Sequence, residues 1–158
     1  MRVLLDTHVL LWALAEPTMM DAQTRAVIEA SDNEVLFSAA SIWEIAIKAG
    51  LGRPGFAFDP ADITRAALDT GFTELAVRAN AAALVGRLPP LHRDPFDRLL
   101  VAQAIVEPAT LHGRSTARAL FGLGQTHRRA LADDPAVGHA KEHGTASRNP
   151  APAQEIDP

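Results

Sequence analysis

The 158 residues amount to a single domain, long enough to bury about two-thirds of its unfolded surface. With 47% hydrophobic and 22% charged residues, the composition is that of a globular protein, and a net charge of −4 argues against holding nucleic acid by bulk electrostatics. Any such contact should be local and metal-assisted. The absence of Cys excludes disulfide scaffolds, Cys-ligated zinc and thiol catalysis. Asp6 and His8 interrupt the apolar N-terminal stretch, and no uncharged run approaches the roughly 18 residues a bilayer span needs. A soluble, cytoplasmic protein without a membrane partner is expected.

In chain order, Val3-Leu4-Leu5 reads as a buried strand that ends at Asp6-Thr7, with a helix from His8 to about Ala15. Asp21 is placed to cap a helix carrying Ala22, Ala26 and Ile28 to Ala30. Glu34 to Phe37 is a second strand, and Ser38 or Ser41 caps a helix that ends at Gly50. Residues 51–58 form a loop; Asp59-Pro60 starts a helix to about Asp69, stopped by Gly71. Phe72 to Leu75 is a third strand and Arg78 to Gly86 a helix, broken by Pro89-Pro90. Asp94-Pro95 opens a helix over Phe96 to Val106, and Thr110-Leu111 begins a fourth strand. Strands separated by helices imply an α/β fold with a largely parallel sheet.

The composition breaks near residue 111. Large apolar residues number 39 in residues 1–111 and only 6 in residues 112–158. Residues 1–111 are therefore expected to pack. Residues 112–131 form an atypical segment in which Ala117, Leu120, Phe121 and Leu123 could make a helix, and 132–158 read as a disordered tail.

Three groups of residues could carry chemistry. Asp6 directly follows the first strand, where open parallel sheets bind ligands, although capping the next helix would explain it equally well. Glu44 could simply pair with Lys48 one turn on. Its neighbours Trp43 and Ile45 suggest instead a mostly buried helix, in which a carboxylate needs a reason such as metal binding. In the segment from Pro89 to Leu100, Asp94 suits an N-cap with Pro95 at the first helical position. Asp97 stands outside the apolar stripe of Phe96, Leu99, Leu100 and Gln103, and His92, Arg93 and Arg98 supply positive charge for a phosphate. Carboxylates converging from a strand end and two helix starts would suit Mg²⁺ or Mn²⁺. His139, Glu142 and His143 match an inverted zinc-protease pattern, but Gly138 and Gly144 bracket it in a Pro-rich tail that cannot supply the long helix it requires. A dehalogenase-like hydrolase built on Asp6 would need a second Asp where His8 stands.

Together, Leu5-Asp6-Thr7-His8, Ser41 to Lys48 around Trp43-Glu44-Ile45, and His92 to Ala104 resemble PIN-domain ribonucleases, most closely the VapC toxins of bacterial type II toxin–antitoxin systems. The resemblance covers residues 1 to about 111. It implies an α/β/α sandwich around a parallel sheet and an acidic cluster that binds Mg²⁺ or Mn²⁺ and hydrolyses RNA. By position, Asp6, Glu44 and Asp97 match the three leading acidic residues, and Asp94 a neighbouring acidic position. Thr7 would support the first ligand through its hydroxyl, and Arg98 would help neutralise the phosphate. A homodimer and a cognate VapB-type antitoxin are implied as partners.

The chain departs from that family after the fourth strand. Thr110-Leu111-His112-Gly113-Arg114 replaces the expected Thr-x-Asp, and no acidic residue follows until Asp133. A reading-frame shift near Leu111 would explain this, with a natural C-terminal replacement as the rival explanation; translating the gene in its other frames should recover the missing Asp and a closing strand if the frame shifts. The alternative reading is a degenerate PIN domain that no longer cuts but still binds antitoxin.

Overall fold

A computed structural model describes residues 1–52, 55–89 and 94–113. Four parallel strands form one sheet in the order β3-β2-β1-β4: β1 is Arg2–Leu5, β2 Glu34–Ser38, β3 Thr73–Leu75 and β4 Thr110–His112. The register sets Leu4 of β1 against Leu36 of β2 and Leu111 of β4. Val3 and Leu5 join one apolar cluster with Phe37, Ile45 and Ile63, while Leu4 and Leu36 join another with Leu84, Leu100 and Leu111. Strands apolar on both faces are what helices covering both sides of a parallel sheet demand. The expected α/β architecture is therefore observed.

Local chemistry explains the helices. Asp6 caps α1 (Thr7–Ala15), Asp21 caps α2 (Ala22–Glu29) and Ser38, rather than Ser41, caps α3 (Ala39–Gly50). Asp59 with Pro60 starts α4 (Pro60–Asp69), and Gly71 at φ +91° turns the chain into β3. Helix α5 covers Ala79–Val85, and Asp94 with Pro95 starts α6 (Pro95–Val106).

Two expectations need correction. Helix α3 is not mostly buried: Ala40, Ser41, Glu44 and Ile45 face inward, while Trp43 is 58% exposed. Its apolar residues fall on two faces, and only one meets the sheet. Strand β4 also runs one residue past the composition break, because the backbone N–H of Asp6 donates to the carbonyl of His112 at 2.8 Å. His92, Arg93, the 117–123 helix, the 132–158 tail and the His139–His143 motif all lie outside the described residues. Among the described residues, no helix is long and apolar enough to cross a membrane.

Candidate functional site

The carboxyl end of β1 and the inner face of α3 bring two acidic residues into the interior. Asp6 is 8% exposed and Glu44 is 6% exposed. Each is held by named partners. Asp6 Oδ1 accepts the backbone N–H of Val9 at 2.7 Å, which is its capping bond to α1. The Thr7 hydroxyl donates to Glu44 Oε2 at 2.6 Å, and Lys48 Nζ donates to Glu44 Oε1 at 2.5 Å. Both bland readings of these residues are thus realised, the cap at Asp6 and the Glu44–Lys48 pair. The pair, however, is set inside the protein rather than on a solvated face.

The hydroxyl of Thr7, expected to support Asp6, donates to Glu44. Its backbone continues from Asp6, so the residue ties the end of β1 to α3. This link spans 37 positions of sequence and no local spacing rule could reveal it.

Helix α6 supplies the remaining acidic candidates. Asp94 is exposed, and its Oδ1 accepts the N–H of Phe96 at 2.8 Å and that of Asp97 at 3.4 Å, which is the cap the sequence suggests. Asp97 is half-buried in the first turn. The rings of Trp43 and Phe96 meet edge-on at 5.0 Å, which sets the residue before Glu44 against the residue before Asp97. Nevertheless, no three His, Asp or Glu side chains among the described residues are gathered closely enough to hold a metal ion together. The expected full cluster is therefore not assembled there, and the bonds from Thr7 and Lys48 to both oxygens of Glu44 give a physical reason.

Arg98 also differs from expectation. Its guanidinium donates to the carbonyls of Val85 at 2.8 Å, Leu88 at 2.9 Å and Pro89 at 2.8 Å. Those carbonyls lie at and beyond the end of α5, where backbone acceptors lack helical partners. The side chain thus joins α5 to α6 through backbone carbonyls.

Two polar features went unnoticed in the sequence. Ser38 Oγ accepts the N–H of Ala40 and donates to Gln103 Oε1 at 2.5 Å, while Gln103 Nε2 donates to the carbonyl of Ala76 at 3.2 Å. This relay, through the fully buried side chains of Ser38 and Gln103, ties the ends of β2 and β3 to α6. The half-buried His112 has its pKa lowered by burial, with the negative charge of Asp21 pulling the other way. Alternation past Thr110-Leu111 was the available signal for His112.

The donor chemistry of Asp6 and Glu44 suits a hard divalent cation. Mg²⁺ typically takes one or two carboxylates and completes its shell with water and phosphate oxygens. Asp6 and Glu44 supply two buried carboxylates of that chemistry, and Glu44 would exchange its Thr7 or Lys48 partner for the ion.

Comparison with known proteins bears on the same region. No curated protein matches the chain by sequence. Among solved structures, the chain is similar to one in the crystal structure of VapBC2 from Rickettsia felis bound to a DNA fragment from their promoter. The TM-score is 0.54 at 18% identity, over 77% of this chain and 92% of that one, a likeness of fold. The sequence profile of the PIN domain matches residues 3–111, so this chain belongs to the PIN-domain family, whose members are in general nucleases that use divalent metal ions.

Proposed function

We propose that the protein is a VapC-like toxin, an endoribonuclease that hydrolyses RNA phosphodiester bonds with Mg²⁺ or Mn²⁺ and is neutralised by a VapB-type antitoxin. The observation that carries this reading is the pair of buried carboxylates, Asp6 and Glu44, at the carboxyl end of β1 in a PIN fold. Asp6 and Glu44 would hold the ion, with Asp97 as the third acidic residue on the neighbouring helix. The chemistry such an ion would supply is acidification of a water and neutralisation of charge on the phosphate. Thr7 fixes the rotamer of Glu44, and the α1 cap fixes that of Asp6. His92 and Arg93 supply the positive charge that guides the phosphate, and Asp94 serves as the cap of α6. A cytoplasmic homodimer completes the proposal, and the likeness to a VapBC2 chain supports an antitoxin partner.

A second reading is a PIN domain that binds antitoxin without cutting. It is favoured by the absence of a three-residue acidic cluster among the described residues. Incubating the purified chain with a panel of structured RNAs in Mg²⁺, Mn²⁺ or EDTA separates the two, with Asp6→Asn as control. The nuclease reading expects metal-dependent cutting that Asp6→Asn abolishes. A folded chain that leaves every RNA intact supports the binding module instead.

A further inference from the structure

We propose that a cleft beside the carboxylate pair is a stacking subsite for one unpaired RNA base next to the phosphate that is cut. This inference rests on the nuclease reading above. The cleft measures about 290 Å³ and lies between α1, the end of α3 and the segment around residues 56–58. Four rings line it: His8 and Trp12 from α1, with centroids 6.3 Å apart, and Phe56 and Phe58, edge-to-face at 5.2 Å. Trp12, Phe56 and Phe58 are half-buried and pack against the apolar cluster on that side of the sheet. Their positions are therefore set before a ligand arrives, which keeps the ordering cost of binding low.

The occupant follows from charge, size and position. Lys48 lines the cleft but is already paired with Glu44, and Glu16 adds a negative charge to the wall. A phosphate is disfavoured there, whereas a neutral planar ring can pack against the aromatic side chains that line the cleft. The volume lies just below the usual range for ligand pockets, suited to one ring system and too small for a duplex. Position selects RNA over an aromatic peptide side chain. Thr7 and Lys48 belong both to the cleft and to the hydrogen-bonded group around Glu44, so the occupant adjoins the place where the phosphate is held. Stacking on aromatic side chains contributes roughly 1–3 kcal/mol per base and tolerates any base, so the subsite would select single strands without reading sequence.

Trp12 reports on its own occupancy. The chain has two Trp residues, so Trp43→Phe leaves Trp12 as the only indole fluorophore. That variant is titrated in EDTA with hexa-adenylate RNA, with the same hexamer made abasic, and with N-acetyl-phenylalaninamide. The subsite predicts saturable quenching by hexa-adenylate. Binding should weaken about tenfold for the abasic hexamer, which keeps every phosphate, and about tenfold for Phe58→Leu. No quenching by hexa-adenylate, or equal binding of the abasic hexamer, overturns the proposal. Quenching by the phenylalanine amide alone also overturns it and assigns the cleft to a protein partner. Cutting by the Trp43→Phe chain in Mg²⁺ is read separately. Cutting without Trp12 quenching removes the subsite and keeps the nuclease, while base-dependent quenching without cutting does the reverse.

Discussion

At the scale of single residues, the interior tolerates Glu44 because each of its oxygens has a donor, Thr7 on one side and Lys48 on the other. An unpaired carboxylate at that depth would be costly. His112 is the contrasting case, a titratable group whose burial disfavours its charged form. Its folded pKa lies below the ordinary value of 6.5. Below pH 6.5 the unfolded chain binds the proton more readily than the folded one, so stability falls as pH drops through 6.5 towards the folded pKa. Above 6.5 both states are neutral and His112 contributes no pH dependence. Urea midpoints at pH 7.5 and 5.5 should therefore differ more for the native chain than for His112→Gln. Equal differences would show that His112 is solvated.

At the scale of elements, α6 is the part on which the site side of the sheet depends. Gln103 bridges Ser38 and Ala76, and Arg98 bridges three carbonyls at the end of α5. Lys cannot reproduce a planar fork that serves three acceptors. Arg98→Lys is therefore expected to lower unfolding stability by about 1–2 kcal/mol, with the KM for RNA unchanged. A raised KM with unaltered stability would return Arg98 to the phosphate. Helix starts were legible in the sequence because their chemistry is local: Asp21, Asp59 and Asp94 each bond an N–H two or three residues on. The partners of Arg98 are 9 to 13 residues away on a different element, and no spacing rule reaches them. The exposure of Trp43 was illegible for a related reason. Its neighbours Ile42 and Ile45 are apolar too, and only the packed sheet decides which face of α3 turns inward.

At the scale of the whole molecule, the family match ends at residue 111, where the apolar composition also breaks. Residue order made the parallel sheet readable, because strands and helices alternate and the two central strands, β1 and β2, are apolar on both faces. The candidate site was half readable. Motif position picked out Asp6 and Glu44, both buried, and spacing gave the Glu44–Lys48 pair, but the bond of Glu44 to Thr7 joins elements 37 positions apart. The central claim is that Asp6 and Glu44 hold a divalent ion, and Mn²⁺ binding followed by electron paramagnetic resonance tests it most directly. The account predicts saturable binding by the native chain that Asp6→Asn and Glu44→Gln each weaken at least tenfold while both variants stay folded. Native-like Mn²⁺ binding by both folded variants, or none by the native chain, would contradict it.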